Sequence, residues 1–209
     1  DLIFAVPTQT LAQWRDSLRQ TIAMQPEHIS AYCLTYEEDT AFYQKFQQGQ
    51  FTQDEQWDAD LFETTIDLLG AAGYAQYEIS NYARPGRECR HNLAYWLGAD
   101  YLGLGPSAFS TRGTRRWQNI ADTAAYTAAI LEGRSAVAFE EPVSAPIRRA
   151  EAIAFGLRTS HGVAVEMLKP WEETVQEYLT EGFFERHDDR IRLTRRGKMV
   201  ADTLAAAFV

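Results

Sequence analysis

The first thirty-four residues carry the pattern that most narrows the fold: strand, capped amphipathic helix, strand. Leu2 to Val6 is a short apolar run closed by Pro7, which suits a buried strand. Thr10 and Gln13 have the spacing of a capping box, in which each side chain satisfies a backbone N–H at the helix start. Leu11, Trp14, Leu18 and Ile22 then recur on one helical face. After Pro26, His28 to Leu34 alternates Ile29, Ala31 and Cys33 against Ser30, Tyr32 and Leu34. Parallel strands need a crossover of about this length, so the unit predicts a parallel pair. Further on, Thr52 and Glu55 are spaced as a second capping box. Leu61, Phe62, Ile66 and Leu69 form an inward stripe ending near Gly70 or Gly73. Ala75 to Ile79 is a third strand. This repetition fits a partial α/β barrel, an open sheet over residues 1 to about 111.

Beyond about Gly113 the pattern changes. Asp122 to Leu131 reads as a helix bounded by Gly133. Ser144 and Pro146 suit a helix start, followed by the stripe Ala150, Ile153, Ala154, Leu157. Trp171, Val175, Tyr178 and Leu179 repeat that spacing. Phe183–His187, an Asp188-Asp189 turn and Arg190–Thr194 read as a hairpin. Val200, Leu204 and Phe208 mark a last helix. The expected fold class is therefore α/β: a barrel-derived part over 1–113, then a mostly helical, winged-helix-like part over 114–209.

Composition bounds the function. A formal net charge of −9 opposes phosphate neutralisation and so argues against nucleic-acid binding. No run approaches the ~20 apolar residues of a membrane-spanning helix. The two cysteines, Cys33 and Cys89, suit neither a disulfide framework nor a zinc site. Arg112, Arg115 and Arg116 read as a solvated basic loop, with an anion contact as the alternative. Gly103-Leu104-Gly105-Pro106-Ser107-Ala108 has nucleotide-loop spacing, but no helix follows it, so a turn is the better reading.

The stretch Tyr77 to Ser110 mixes aromatics, arginines, one histidine and the Gly103-x-Gly105 turn. It resembles the central signature of the radical S-adenosylmethionine haem chaperones, relatives of the oxygen-independent coproporphyrinogen III oxidases. Within it, Arg90-His91-Asn92-Leu93-Ala94-Tyr95-Trp96 matches the HNxxYW motif that this family uses for haem. Residues 1–10 resemble the family's D-L-I-x-G-L-P-x-Q-T strand and turn, with Ala5 and Thr8 where glycine is usual. Ser107 and Phe109 stand where small residues and histidine are frequent.

The resemblance implies the following. Asp1, Thr35 and Phe109 contact S-adenosylmethionine. His91 ligates haem iron, with Asn92 orienting the backbone and Tyr95 and Trp96 as flat porphyrin contacts. Arg84, Arg87 and Arg90 suit haem propionates. A radical enzyme of this kind also needs a C-x-x-x-C-x-x-C loop for its 4Fe–4S cluster, which two isolated cysteines do not supply. The chain is then expected to be the C-terminal portion of a longer cytoplasmic protein. The cluster and S-adenosylmethionine would belong to the full-length parent only, and the chain alone would be catalytically inactive. Its partners would be haem and a haem-accepting protein, without nucleic acid or an integral membrane segment. Self-association would run through the open sheet edge. The runner-up is a coproporphyrinogen III oxidase (dehydrogenase) of haem biosynthesis. A third reading is an inert structural or interaction module.

Overall fold

In the computed structural model, which describes residues 1–38 and 40–208, β1 (Leu2–Phe4) and β2 (His28–Cys33) pair in parallel. The crossover between them is α1 (Leu11–Ala23). Its capping box is present: Gln13 N–H donates to Thr10 Oγ1, and the Gln13 side chain accepts from the Thr10 N–H. Trp14 and Leu18 are buried, with Leu11 and Ile22 packed beside them. The Trp14 indole N–H donates to Thr65 Oγ1 at 3.0 Å, so the one polar atom of this large core ring is satisfied.

After β2 come α2 (Ala41–Gln47) and α3 (Glu55–Ala71). The α3 cap corrects the expected Thr52–Glu55 box, because Asp54 is the capping residue and accepts from Trp57 N–H at 3.1 Å. Asp54 sits immediately before the first helical residue, where a side-chain oxygen reaches the unpaired N–H groups. Leu61, Phe62, Thr65 and Leu69 face inward. The chain then forms β3 (Ala75–Glu78) and β4 (Asn81–Ala83), an antiparallel pair with a register shift between Gln76 and Glu78. β4 inserts beside β2, also antiparallel, giving the order β1-β2-β4-β3. The sheet is thus mixed. The turn at 79–80 is too short for a crossover, so β4 runs against the other three strands.

These elements, Asp1–Cys89 with the later segment Arg195–Met199, form one of two compact units. Arg195 ties that late segment to α3 through Asp67 at 2.6 Å.

The second unit holds Arg90–Thr194 and the described residues from Val200. It opens with α4 (Arg90–Trp96), which carries the HNxxYW stretch. A three-stranded antiparallel sheet follows: β5 (Phe109–Arg112), β6 (Arg115–Asn119) and, after α5 (Thr123–Leu131), β7 (Val137–Pro142). This sheet was not expected from the sequence. It also corrects the reading of the arginines as a loop. Arg115 lies opposite Pro142 and donates diagonally across the strands to Glu140 at 2.5 and 2.6 Å.

Next comes α6 (Ala145–Leu157), capped by Ser144 with Pro146 in its first turn, as expected. β8 (Val163–Ala164), α7 (Val165–Leu168), a short 3₁₀ turn at Lys169–Trp171 and α8 (Glu172–Thr180) lead to the hairpin β9 (Phe184–His187) and β10 (Arg190–Leu193). β8 joins the hairpin as a third strand, in the order β8-β10-β9. Asp188 takes the positive φ of the hairpin turn. The expected last helix is two pieces, α9 (Arg195–Met199) and α10 (Ala201–Ala206), parted at the partly exposed Val200. Leu204 and Phe208 are buried, and Phe208 packs among Trp171, Tyr178 and Phe184.

Candidate functional site

The second unit builds its most developed site around α4. His91 is exposed in the helix's first turn, and its ring stands edge-on to Tyr95 one turn later, 4.8 Å between centroids at 84°. Tyr95 in turn meets Tyr101 edge-on, at 4.5 Å and 74°. Tyr101 is held by backbone bonds in both directions with Thr111 of β5, at 2.9 and 3.0 Å. The imidazole therefore begins a line of rings anchored on a sheet. Trp96 is placed differently. It packs against Phe155 of α6 at 5.7 Å, with Arg158 over its ring at 5.0 Å, and its buried Nε1 finds no hydrogen-bond partner among the described residues.

A cleft of about 370 Å³ lies beside this line, walled by Tyr95, Trp96, Tyr101, Phe109 and Phe155. At the low end of the range for small-molecule sites, it is lined by five aromatic and four charged side chains. Arg116 grips Glu151 with two guanidinium bonds, at 2.7 and 2.9 Å, and reaches Glu141 at 3.4 Å. Those acids hold the Arg116 guanidinium above its ordinary pKa, chiefly through the Glu151 hydrogen bond. Arg148 reaches Asp100 at 3.2 Å and also donates to the Gly98 and Gly113 carbonyls. The turn feeding β5 is set by glycine. A Cβ on Gly103 would collide with the Phe109 carbonyl oxygen, and Asn119 Nδ2 donates to the carbonyls of Gly103 and Gly105. A strand follows that turn, so the segment is not a phosphate-binding loop opening a helix.

The expected site residues divide between the units. His91, Asn92, Tyr95, Trp96 and Phe109 all lie in the second, and Tyr95, Trp96 and Phe109 share the cleft. Asp1 and Thr35 lie in the first, both exposed, at opposite ends of the β1–β2 parallel pair. Arg84 is placed over the Tyr74 ring at 5.3 Å, and Arg87 pairs with Glu27 at 3.4 Å. Sequence reasoning missed Tyr101, Phe155, Arg116, Glu151 and Arg148. Tyr101 lies outside the motif, and Phe155 lies off the apolar stripe of α6, so only the tertiary fold brings them beside Tyr95.

The other histidines have different surroundings. His28 is hydrogen-bonded to Tyr77 Oη at 2.8 Å, and burial holds its pKa down. His187 lies 3.3 Å from the Asp188 carboxylate. Neither cysteine is placed for cluster ligation. Burial, with Asp58 adding to it, pushes the Cys33 thiol up to about 12, and Cys89 is exposed. The described residues hold no group of three His, Cys, Asp or Glu side chains arranged for a metal ion. These residues therefore do not fit a 4Fe–4S cluster. No helix among the described residues is long and apolar enough to cross a membrane.

No profile of a known protein family matches the chain. The chain is similar over its whole length to "Heme chaperone HemW" of Mycobacterium tuberculosis (strain H37Rv), at 33% identity across 54% of that protein. It is likewise similar to "Heme chaperone HemW" of Escherichia coli K12, at 29% identity across 57% of that protein. Among solved structures it superimposes, at a TM-score of 0.77 and 18% identity, on 54% of the chain of "Coproporphyrinogen III oxidase (HemN) from Escherichia coli is a Radical SAM enzyme". That likeness gives the fold. The chain spans about half the length of the curated relatives it matches.

Proposed function

Because this chain is HemW-like over its whole length, we propose that it is part of a cytoplasmic radical S-adenosylmethionine haem chaperone, binding haem and passing it to a haem protein. Similarity along the entire chain to proteins named haem chaperones is the observation that carries this reading. In it, His91 is the iron ligand. An exposed imidazole on an aromatic support suits that role, since iron–imidazole bonding is directional. Asn92 steadies the backbone, while Tyr95 and Trp96 line the haem side. The first unit's β1–α1–β2 crossover belongs to a barrel completed by residues of the longer parent. By the family resemblance, S-adenosylmethionine is assigned to Asp1 and Thr35 in the first unit and, separately, to Phe109 in the second. The order helix, short strand, helices and hairpin in 145–193 supports a winged-helix-like tail.

The second reading, a coproporphyrinogen III oxidase, is supported by the fold of its solved relative. The HNxxYW segment favours the chaperone, because the oxidases resemble a different pattern there. Haem titration followed by the Soret band tests the first reading. The unmutated chain should bind haem, and His91→Ala should both weaken binding and shift the maximum. His161→Ala and His187→Ala should do neither. Loss of the spectrum in either control, with His91→Ala unchanged, would refute the ligand assignment. Turnover of coproporphyrinogen by the full-length parent would favour the second reading.

A further inference from the structure

The cleft beside α4 has an apolar wall and an already balanced set of charges, which bears on the edge of a haem that it accepts. The rings of Tyr95, Tyr101, Phe109 and Phe155 offer flat apolar contact. Both arginines at its margin are already paired, Arg116 with Glu141 and Glu151, Arg148 with Asp100. In the lining two carboxylates thus face two guanidinium groups, and Asp100 holds Arg148 from outside it. A further carboxylate entering here would lose its hydration where both guanidinium groups are already paired, which is unfavourable. Haem has two unlike edges, one bearing two propionates and the other methyls and vinyls. We propose, on the basis of the haem-chaperone reading, that this cleft seats the vinyl- and methyl-bearing edge and leaves the propionates outside it. Tyr95 links the two features, because its ring lines the cleft and also supports the His91 imidazole. The cleft volume of about 370 Å³ suits a sector of a tetrapyrrole better than a whole one.

The test titrates the full chain with three iron porphyrins: haem, haem dimethyl ester and iron haematoporphyrin, whose hydroxyethyl groups replace the vinyls. Removing apolar contact and adding hydroxyls to the seated edge should weaken binding about tenfold. Capping the propionates should change affinity by less than about threefold, because they stay in water. Ala99→Phe, at an exposed position on the cleft margin, should cut haem affinity about tenfold or more. Far-UV circular dichroism confirms that the variant is folded. An ester that binds tenfold weaker while the haematoporphyrin binds as haem does would overturn the assignment. So would undiminished haem binding by folded Ala99→Phe. If edge discrimination persists but His91→Ala leaves the Soret band unchanged, the iron ligand is wrong and the seat stands. If the unmutated chain binds no haem, the chaperone reading and this inference fail together.

Discussion

Ala5 and Thr8 hold left-handed backbone, at φ 59° and 69°, where the family resemblance expects glycine; Ser107 also lies in that region, at 61°. An L-residue there crowds its Cβ against the following carbonyl, at about 1–2 kcal/mol each. Ala5→Gly and Thr8→Gly should each stabilise the chain, by about 1 kcal/mol net of the extra freedom glycine gives the unfolded state. Urea unfolding measures this directly, and a lowered midpoint in both variants would show that the strain is relieved in some other way. The same scale explains His91. Its neighbours along the helix were legible in the sequence, but the ring of Tyr101 that backs Tyr95 was not, because a backbone bridge to Thr111 puts it there.

Helices α1 and α6 were legible because their starts and apolar faces are local properties. Each has a capping residue, Thr10 or Ser144, directly before a run of apolar positions at helical spacing. For α3 two acceptors compete, and the one adjacent to the helix wins. Asp54→Ala should therefore cost about 1 kcal/mol, while Thr52→Ala should cost little. A thermal melt in which Thr52→Ala is the more damaging change would restore the Thr52 box. The β5–β7 sheet was not legible for a related reason. Arg115, Arg116 and Gln118 are polar residues in β6, and the strand has a register shift near Asn119, so alternation is broken. What makes it a strand is the pairing with β5 on one side and the β7 glutamates on the other.

At the scale of the molecule, the parallel pair puts β1 at the end of its sheet, with Ile3 41% exposed. An uncovered strand edge offers unpaired N–H and C=O groups to another chain. The isolated chain should therefore associate as its concentration rises, and Ile3→Lys should shift it toward monomer by placing charge on that edge. Sedimentation velocity across a concentration series reads both outcomes. A parent chain that stays monomeric at high concentration would remove the edge as an association site.

The sequence by itself determined what rests on neighbours in the chain: the capped helices, the strand–helix–strand crossover, the late hairpin and the HNxxYW signature that points to its relatives. Each is written within a few turns of backbone, where capping, periodicity and turn chemistry act. Only the tertiary structure decided how the strands after β2 pair, and which residues surround Tyr95. The insertion of β4 between β2 and β3 depends on a reversal at residues 79–80 and on hydrogen bonds to a strand some fifty residues earlier. The cleft draws on α4, β5, β6, β7 and α6 together. Its charge balance depends on Arg116 meeting Glu151 thirty-five positions away, a juxtaposition that no local pattern encodes.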